Sequence, residues 1–233
     1  MSVIGLATSQ LATAHLVRPG LHFFGSGAGR PPRGPRIRLS HPGGPCRGKS
    51  LTIVVADDSG SVIGPAGVDP VSNRYQECKL AFRRIASAGV GRDELGAVLH
   101  FDVPTSGDVP PVRMTQVGLR LIEHGLRTPL DARGSSVLGP SLLAATRLAA
   151  TRPEHLATLV VLSDFELFDA DPAEILRRLS EFPGDVHAVV LGGGGPTDAD
   201  FGDNTLVTRI SSDDELGAVA HAVLASLAKH RRR

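Results

Sequence analysis

A chain of 233 residues, 41% hydrophobic, can bury one proper core, which excludes a wholly disordered class. No apolar run reaches the roughly 18 residues of a membrane span, and Met1 to Leu16 lacks the basic start and continuous apolar core of a signal peptide. The formal charge of +1 conceals an asymmetry: residues 1–50 carry seven Lys or Arg and no Asp or Glu, leaving 18 basic and 24 acidic residues in 51–233.

Residues 1–50 read as a basic arm and residues 51–233 as one domain. Gly25 to Ser50 is crowded with Gly, Pro and Arg, a composition that disfavours regular structure. Its arginines suit nucleic acid or an acidic partner. The only aromatics in the arm are Phe23 and Phe24, however, so a solvated tail is the better reading and a nucleic-acid tether the lesser one. The arm closes on Gly43-Gly44-Pro45-Cys46-Arg47-Gly48-Lys49-Ser50, which fits the phosphate-binding-loop formula letter for letter. That loop works by aiming the amides that open a helix at phosphates. Here the β-rich run Leu51-Thr52-Ile53-Val54-Val55 follows, so the formula stands in the wrong context. A nucleotide hydrolase using Lys49, Ser50 and Asp164 is kept as the rival, enzyme-class reading.

Leu51 to Ala56 has the Ile, Val and Thr content of a fully buried strand. It delivers Asp57-Asp58-Ser59-Gly60-Ser61 to its carboxyl end, where open α/β sheets build their sites. Asp57, Ser59 and Ser61 alternate and supply three hard oxygens, and Gly60 permits a tight turn. One carboxylate with two hydroxyls suits Mg²⁺, which keeps several waters. An Asx or Ser turn that merely ends the strand is the bland alternative.

Downstream, Asp69-Pro70 opens a helix whose Tyr75, Cys78, Phe82 and Ile85 recur at helical spacing before Gly89. Cys78 reads as core. With Cys46 it makes only two cysteines, so no disulfide framework is expected and a reducing, cytoplasmic setting is favoured. Leu95 to Phe101 is the next strand, with His100 read as a packed histidine and Asp102 at its end. Val112 to Thr115 forms a short edge strand and Val117 to Leu126 a helix. Gly134-Ser135-Ser136 precedes a helical pattern from Val137 to Ala150 with Leu138, Leu142, Ala145 and Leu148 on one face. Leu159 to Ser163 is a second buried strand, ending at Asp164. Glu166, Asp169 and Asp171 follow; Asp171-Pro172-Ala173-Glu174 is a helix cap. Val186 to Leu191 and Thr205 to Ile210 are the last strands, separated by Gly192 to Gly195. Asp213 to Lys229 is the last helix, with acids in its first turn and bases in its last, as the helix dipole favours.

Asp57-x-Ser59-x-Ser61, Gly134-Ser135-Ser136 and Leu159 to Asp164, in this order and at these separations, resemble the von Willebrand factor A (vWA) domain with its metal-ion-dependent adhesion site. The resemblance covers about residues 51–229. It implies that Asp57, Ser59 and Ser61 form the first metal loop, that Ser136 takes the position of a distant Thr, and that Asp164 is the distant acid. Ser at the fourth position departs from the family pattern: the hydroxyl stays, and the methyl that stiffens its rotamer is lost. Asp58, Asp102 and Glu166 would border the site or support its ligands.

The alternation of elements predicts an α/β fold, a doubly wound, mainly parallel six-stranded sheet with helices on both faces and a site at the switch point. No catalytic constellation is expected. A haloacid-dehalogenase-type phosphotransferase needs an acid where Ser59 stands, no Gly-x-Ser-x-Gly elbow occurs, and no His-x-x-x-His pair supports zinc hydrolysis. The expected function is a binding module without membrane association, holding Mg²⁺, or Mn²⁺ as the other hard ion, whose open position takes an Asp or Glu from a partner protein.

Overall fold

The computed structural model describes residues 37–46, 48–69 and 73–231. The amino-terminal arm through Arg36, with its readings on Met1 to Leu16 and on Phe23 and Phe24, lies outside them, as do Arg47 and Pro70. Each apolar run forms a strand, and each 3.6-residue pattern a helix. β1 (Lys49–Ala56) leads through a single turn, α1 (Gly60–Ile63), to α2 (Asn73–Ser87) and β2 (Glu94–His100). Then come β3 (Val109–Arg113), α3 (Gln116–Gly125), α4 (Gly139–Ala150) and β4 (His155–Ser163). The chain finishes with α5 (Pro172–Ser180), β5 (Asp185–Leu191), a 3₁₀ turn (Asp198–Phe201), β6 (Thr205–Ile210) and α6 (Ala218–Ala228).

The six strands lie in the order β3-β2-β1-β4-β5-β6, and every pair is parallel except β2 with β3. Central strands are apolar on both faces because helices cover both. Leu51, Ile53 and Val55 pack with Leu142 and Ala145 of α4 and Leu176 and Leu179 of α5. Val54, Val98 and Val160 point the other way, onto Cys78 and Phe82 of α2, Ile122 of α3 and Val223 of α6. Cys78 is core as expected, and burial pushes its thiol up to about 12. The order reverses between β1 and β4, so the switch point falls where Asp57 and Asp164 leave the sheet.

Several boundaries differ from the sequence reading, among them β4, which begins at His155 rather than Leu159. The compact unit begins at Ile37, not at 51: a Cβ on Gly217 would come within 2.7 Å of Ile37, and the Cys46 amide donates to Glu94. The edge strand is Val109–Arg113, three residues early, and includes both Pro110 and Pro111. Its register shifts between Gly96 and Val98, a bulge on an edge that tolerates their missing amides. Helix α4 starts at Gly139 rather than Val137. Helix α6 starts at Ala218 rather than Asp213, so no acid lies in its first turn and no base in its last. Glu77 of α2 replaces those acids: its two carboxylate oxygens accept from Gly217 N at 3.0 Å and Ala220 N at 3.1 Å.

Candidate functional site

Asp57 leaves β1 with its amide still in the sheet, donating to Leu162 O at 3.0 Å. The Asp57 side chain, fully buried, accepts from Ser163 Oγ at 2.5 Å through Oδ2 and from Ser59 N at 2.8 Å through Oδ1. Burial raises this carboxyl from 3.8 to about 6; the Ser163 and Ser59 bonds oppose the rise and the neighbouring charge of Asp164 adds to it. The Ser59 and Ser61 hydroxyls meet at 3.0 Å across the turn that opens α1. From the adjacent strand, Asp164 is buried, and its Oδ1 accepts from Glu166 N at 3.1 Å.

Ser136 is buried on the loop that enters α4. Three bonds fix that loop. Phe168 N donates to Ser136 O at 2.9 Å. Asp169 accepts from Leu138 N and Gly139 N, both at 2.9 Å, so this acid caps α4. Ser135 Oγ donates to Asp102 Oδ2 at 2.8 Å, while Asp102 N donates to Val137 O at 2.8 Å with Asp102 itself at a φ of 68°. A Cβ on Gly134 would lie 3.7 Å from Asp58 O, and one on Gly195 would lie 2.5 Å from Asp164 O. The three segments named by the sequence thus converge at the carboxyl ends of β1 and β4. Asp102 supports the Ser135 loop, and Glu166 is exposed at the edge, beside Gly194.

Asp58 is no border residue. It is buried, turned away from the Ser59 and Ser61 hydroxyls, and bound at 2.8 Å by Arg74 Nη2, at 2.7 Å by the Tyr75 hydroxyl and at 2.7 Å by His100 Nδ1. Arg74 also bonds Asp69 at 2.8 Å and donates to Asp57 O at 2.9 Å. The buried cluster therefore holds the backbone of the Asp57–Ser61 loop from beneath, and burial raises the Tyr75 hydroxyl above its ordinary value, keeping it a donor. Arg74 and Ser163 were missed by the sequence reading. Ser163 sat in view as the residue before Asp164, but only the pairing of β4 with β1 brings it to Asp57.

Among the described residues no three His, Cys, Asp or Glu side chains form a metal-holding group. Asp57, Asp164 and the Ser59 and Ser61 hydroxyls lie on the loops that leave β1 and β4, and Ser136 on the loop that enters α4; carboxylates and hydroxyls are the hard oxygens that could hold a Mg²⁺ that keeps waters. The phosphate-loop letters fall elsewhere. Lys49 and Ser50 are strand residues, with Lys49 paired to Glu154 at 3.6 Å. They begin β1 while Asp57 follows its end, about 25 Å away at the usual strand rise, so Lys49 and Asp164 cannot serve one phosphate. A cavity of about 680 Å³ also lies at that far pole, between His187, Leu206 and Ser226, and includes none of the candidate ligands.

The fold is vWA-like. The chain superposes on a von Willebrand factor type A protein from Catenulispora acidiphila with a TM-score of 0.55 at 16% identity, covering 78% of this chain and 43% of that one. It matches the SpRpn10 VWA domain with a TM-score of 0.52 at 12% identity, over 75% of this chain and 94% of that domain. Proximal thread matrix protein 1 from the mussel byssus, described with a zinc-occupied MIDAS motif, matches at 0.51 and 18% identity, over 78% and 48%. The chain spans less than half the length of the first and third of these. No protein-family model and no curated protein sequence matches it. Among the described residues, no helix is long and apolar enough to cross a membrane.

Proposed function

We propose that the chain is a metal-dependent protein-interaction module: Asp57, Ser59, Ser61, Ser136 and Asp164 hold one Mg²⁺, several through water, and a partner's Asp or Glu completes its coordination. The observation that supports this reading is a buried Asp57 beside the buried Asp164 at the switch point, with the Ser59 and Ser61 hydroxyls 3.0 Å apart on the same turn and the buried Ser136 on the neighbouring loop. A divalent cation there would offset the repulsion between the two acids. The byssus protein's occupied site supports metal binding in this fold, though its ion is zinc. Mn²⁺ fits the same hard donors.

Titration calorimetry with Mg²⁺ tests it. The wild type should bind, Asp57→Ala and Asp164→Ala should not, and all three should give the same far-ultraviolet circular dichroism in EDTA. A wild type that takes up neither Mg²⁺ nor Mn²⁺ at millimolar concentration defeats the reading.

A further inference from the structure

Strand β4 runs through Leu159-Val160-Val161-Leu162, apolar and buried, and then places a hydroxyl, Ser163, in the same fully buried position. A buried hydroxyl costs stability unless it is bonded, and both bonds of this one lead to the candidate site. Ala56 and Leu162 are the last paired residues of β1 and β4, so the next step along each strand sets Ser163 across from Asp57. Ser163 Oγ donates to Asp57 Oδ2 at 2.5 Å and accepts from Phe165 N at 2.8 Å. Phe165 reaches that oxygen with a left-handed φ of 57°, a region strained for a residue that carries a side chain, and its ring is held edge-on to Phe201 at 4.9 Å. One hydroxyl thus joins the loop of Asp164 to the carboxylate of Asp57, through a chain from amide to hydroxyl to carboxylate whose bonds reinforce one another. The other oxygen of Asp57 accepts from Ser59 N at 2.8 Å. Both oxygens, and with them the plane of the carboxylate, are fixed.

We infer that Ser163 is a positioning residue of the metal site and that, by locking the Asp57 carboxylate, it makes the site favour Mg²⁺ over Ca²⁺. The inference rests on the metal-dependent reading and adds what governs the choice of ion. Ser163 is fully buried and its Oγ is already bonded twice, so it acts through Asp57 rather than on the ion. Mg²⁺ demands near-ideal octahedral geometry with short bonds, whereas Ca²⁺ accepts about six to eight oxygens in flexible arrangements. A carboxylate held in place before the ion arrives serves Mg²⁺ without reorganisation. One that is free to rotate costs Mg²⁺ more than it costs Ca²⁺.

Calorimetric titration of the full chain, with Mg²⁺ and separately with Ca²⁺, compares wild type, Ser163→Ala and Ser163→Thr. Ser163→Ala should bind Mg²⁺ about tenfold or more weakly and Ca²⁺ less than about threefold more weakly, so the ratio of the two affinities falls. Ser163→Thr keeps the hydroxyl and should keep the wild-type ratio. Far-ultraviolet circular dichroism in EDTA checks that each variant is folded; if Ser163→Ala is not, Ser163→Cys, of similar size and with only a weak donor, takes its place. Unchanged Mg²⁺ affinity in the variant without the hydroxyl, an equal loss for both ions, or the same fall in ratio for Ser163→Thr overturns the inference and leaves the metal reading standing. A wild type that binds neither Mg²⁺ nor Mn²⁺ overturns both.

Discussion

Replacing Asp57 by Asn separates the cost of its charge from its place in the fold. The carboxyl is raised from 3.8 to about 6, so without metal the folded state holds its proton more tightly than the unfolded state. The stability this contributes is fully present below pH 3.8 and is lost as pH rises through about 6. A shift of about two units corresponds to about 3 kcal/mol. Asparagine keeps the shape and removes the charge, while the bond from Ser163 must be rearranged at a cost of about 1 kcal/mol. In EDTA at pH 8, Asp57→Asn should therefore be about 2 kcal/mol more stable than wild type in urea unfolding, and the advantage should vanish near pH 4. Saturating Mg²⁺ should restore wild type and leave the variant unmoved. A variant less stable than metal-free wild type at pH 8 would refute the assignment of Asp57 as a buried, unbalanced charge.

Three further perturbations probe the scaffold. Glu77→Ala leaves the amides of Gly217 and Ala220 without their acceptor and should cost about 2 kcal/mol in urea, with amide exchange fastest at the start of α6. Asp58→Asn breaks the buried ion pair with Arg74 and disturbs the hydrogen bonds from Tyr75 and His100, and should cost about 3 kcal/mol or more, read as a lowered thermal midpoint at pH 7. His187 accepts or donates to Ser226 at 2.6 Å and Thr208 at 2.8 Å, and burial, with Lys229 nearby, lowers it from 6.5 to about 4. Its contribution is present above pH 6.5 and is lost as pH falls through 4, on the order of 2 kcal/mol; His187→Gln should flatten that part of the pH profile.

The centre of the fold was legible because its signals are local. An unbroken run such as Leu51 to Ala56 has no alternative to burial on both faces, and the residues after it fall at a strand's carboxyl end whatever the neighbours do. What the sequence concealed depends on partners far along the chain. The acids Asp213 and Asp214 looked like the start of α6 because acids suit a helix dipole, yet the acid that binds this helix is Glu77, on α2. Asp58 reads as bordering the site or supporting its ligands because it adjoins Asp57; consecutive extended residues point to opposite sides, and Arg74, Tyr75 and His100 receive it in the support role. The edge strand reads from Val112, after Pro110 and Pro111, because a proline cannot donate to the ladder; an edge with a bulge admits both.

Glu77 and Arg74 lie one turn apart on α2, and their partners divide the molecule mechanically. Glu77 holds the start of α6, Arg74 holds the carbonyl of Asp57, and the far end of α6 is followed by Arg231, paired with Glu94 at 2.5 Å. Among the described residues, none of the polar bonds made by α6 or the residues flanking it ends on a candidate metal ligand. Tension applied at Arg231 would accordingly load its pair with Glu94 first, then the Lys229 and His230 contacts with Asp185 and the Ser226 bond to His187, and Glu77 only at the opposite end of the helix.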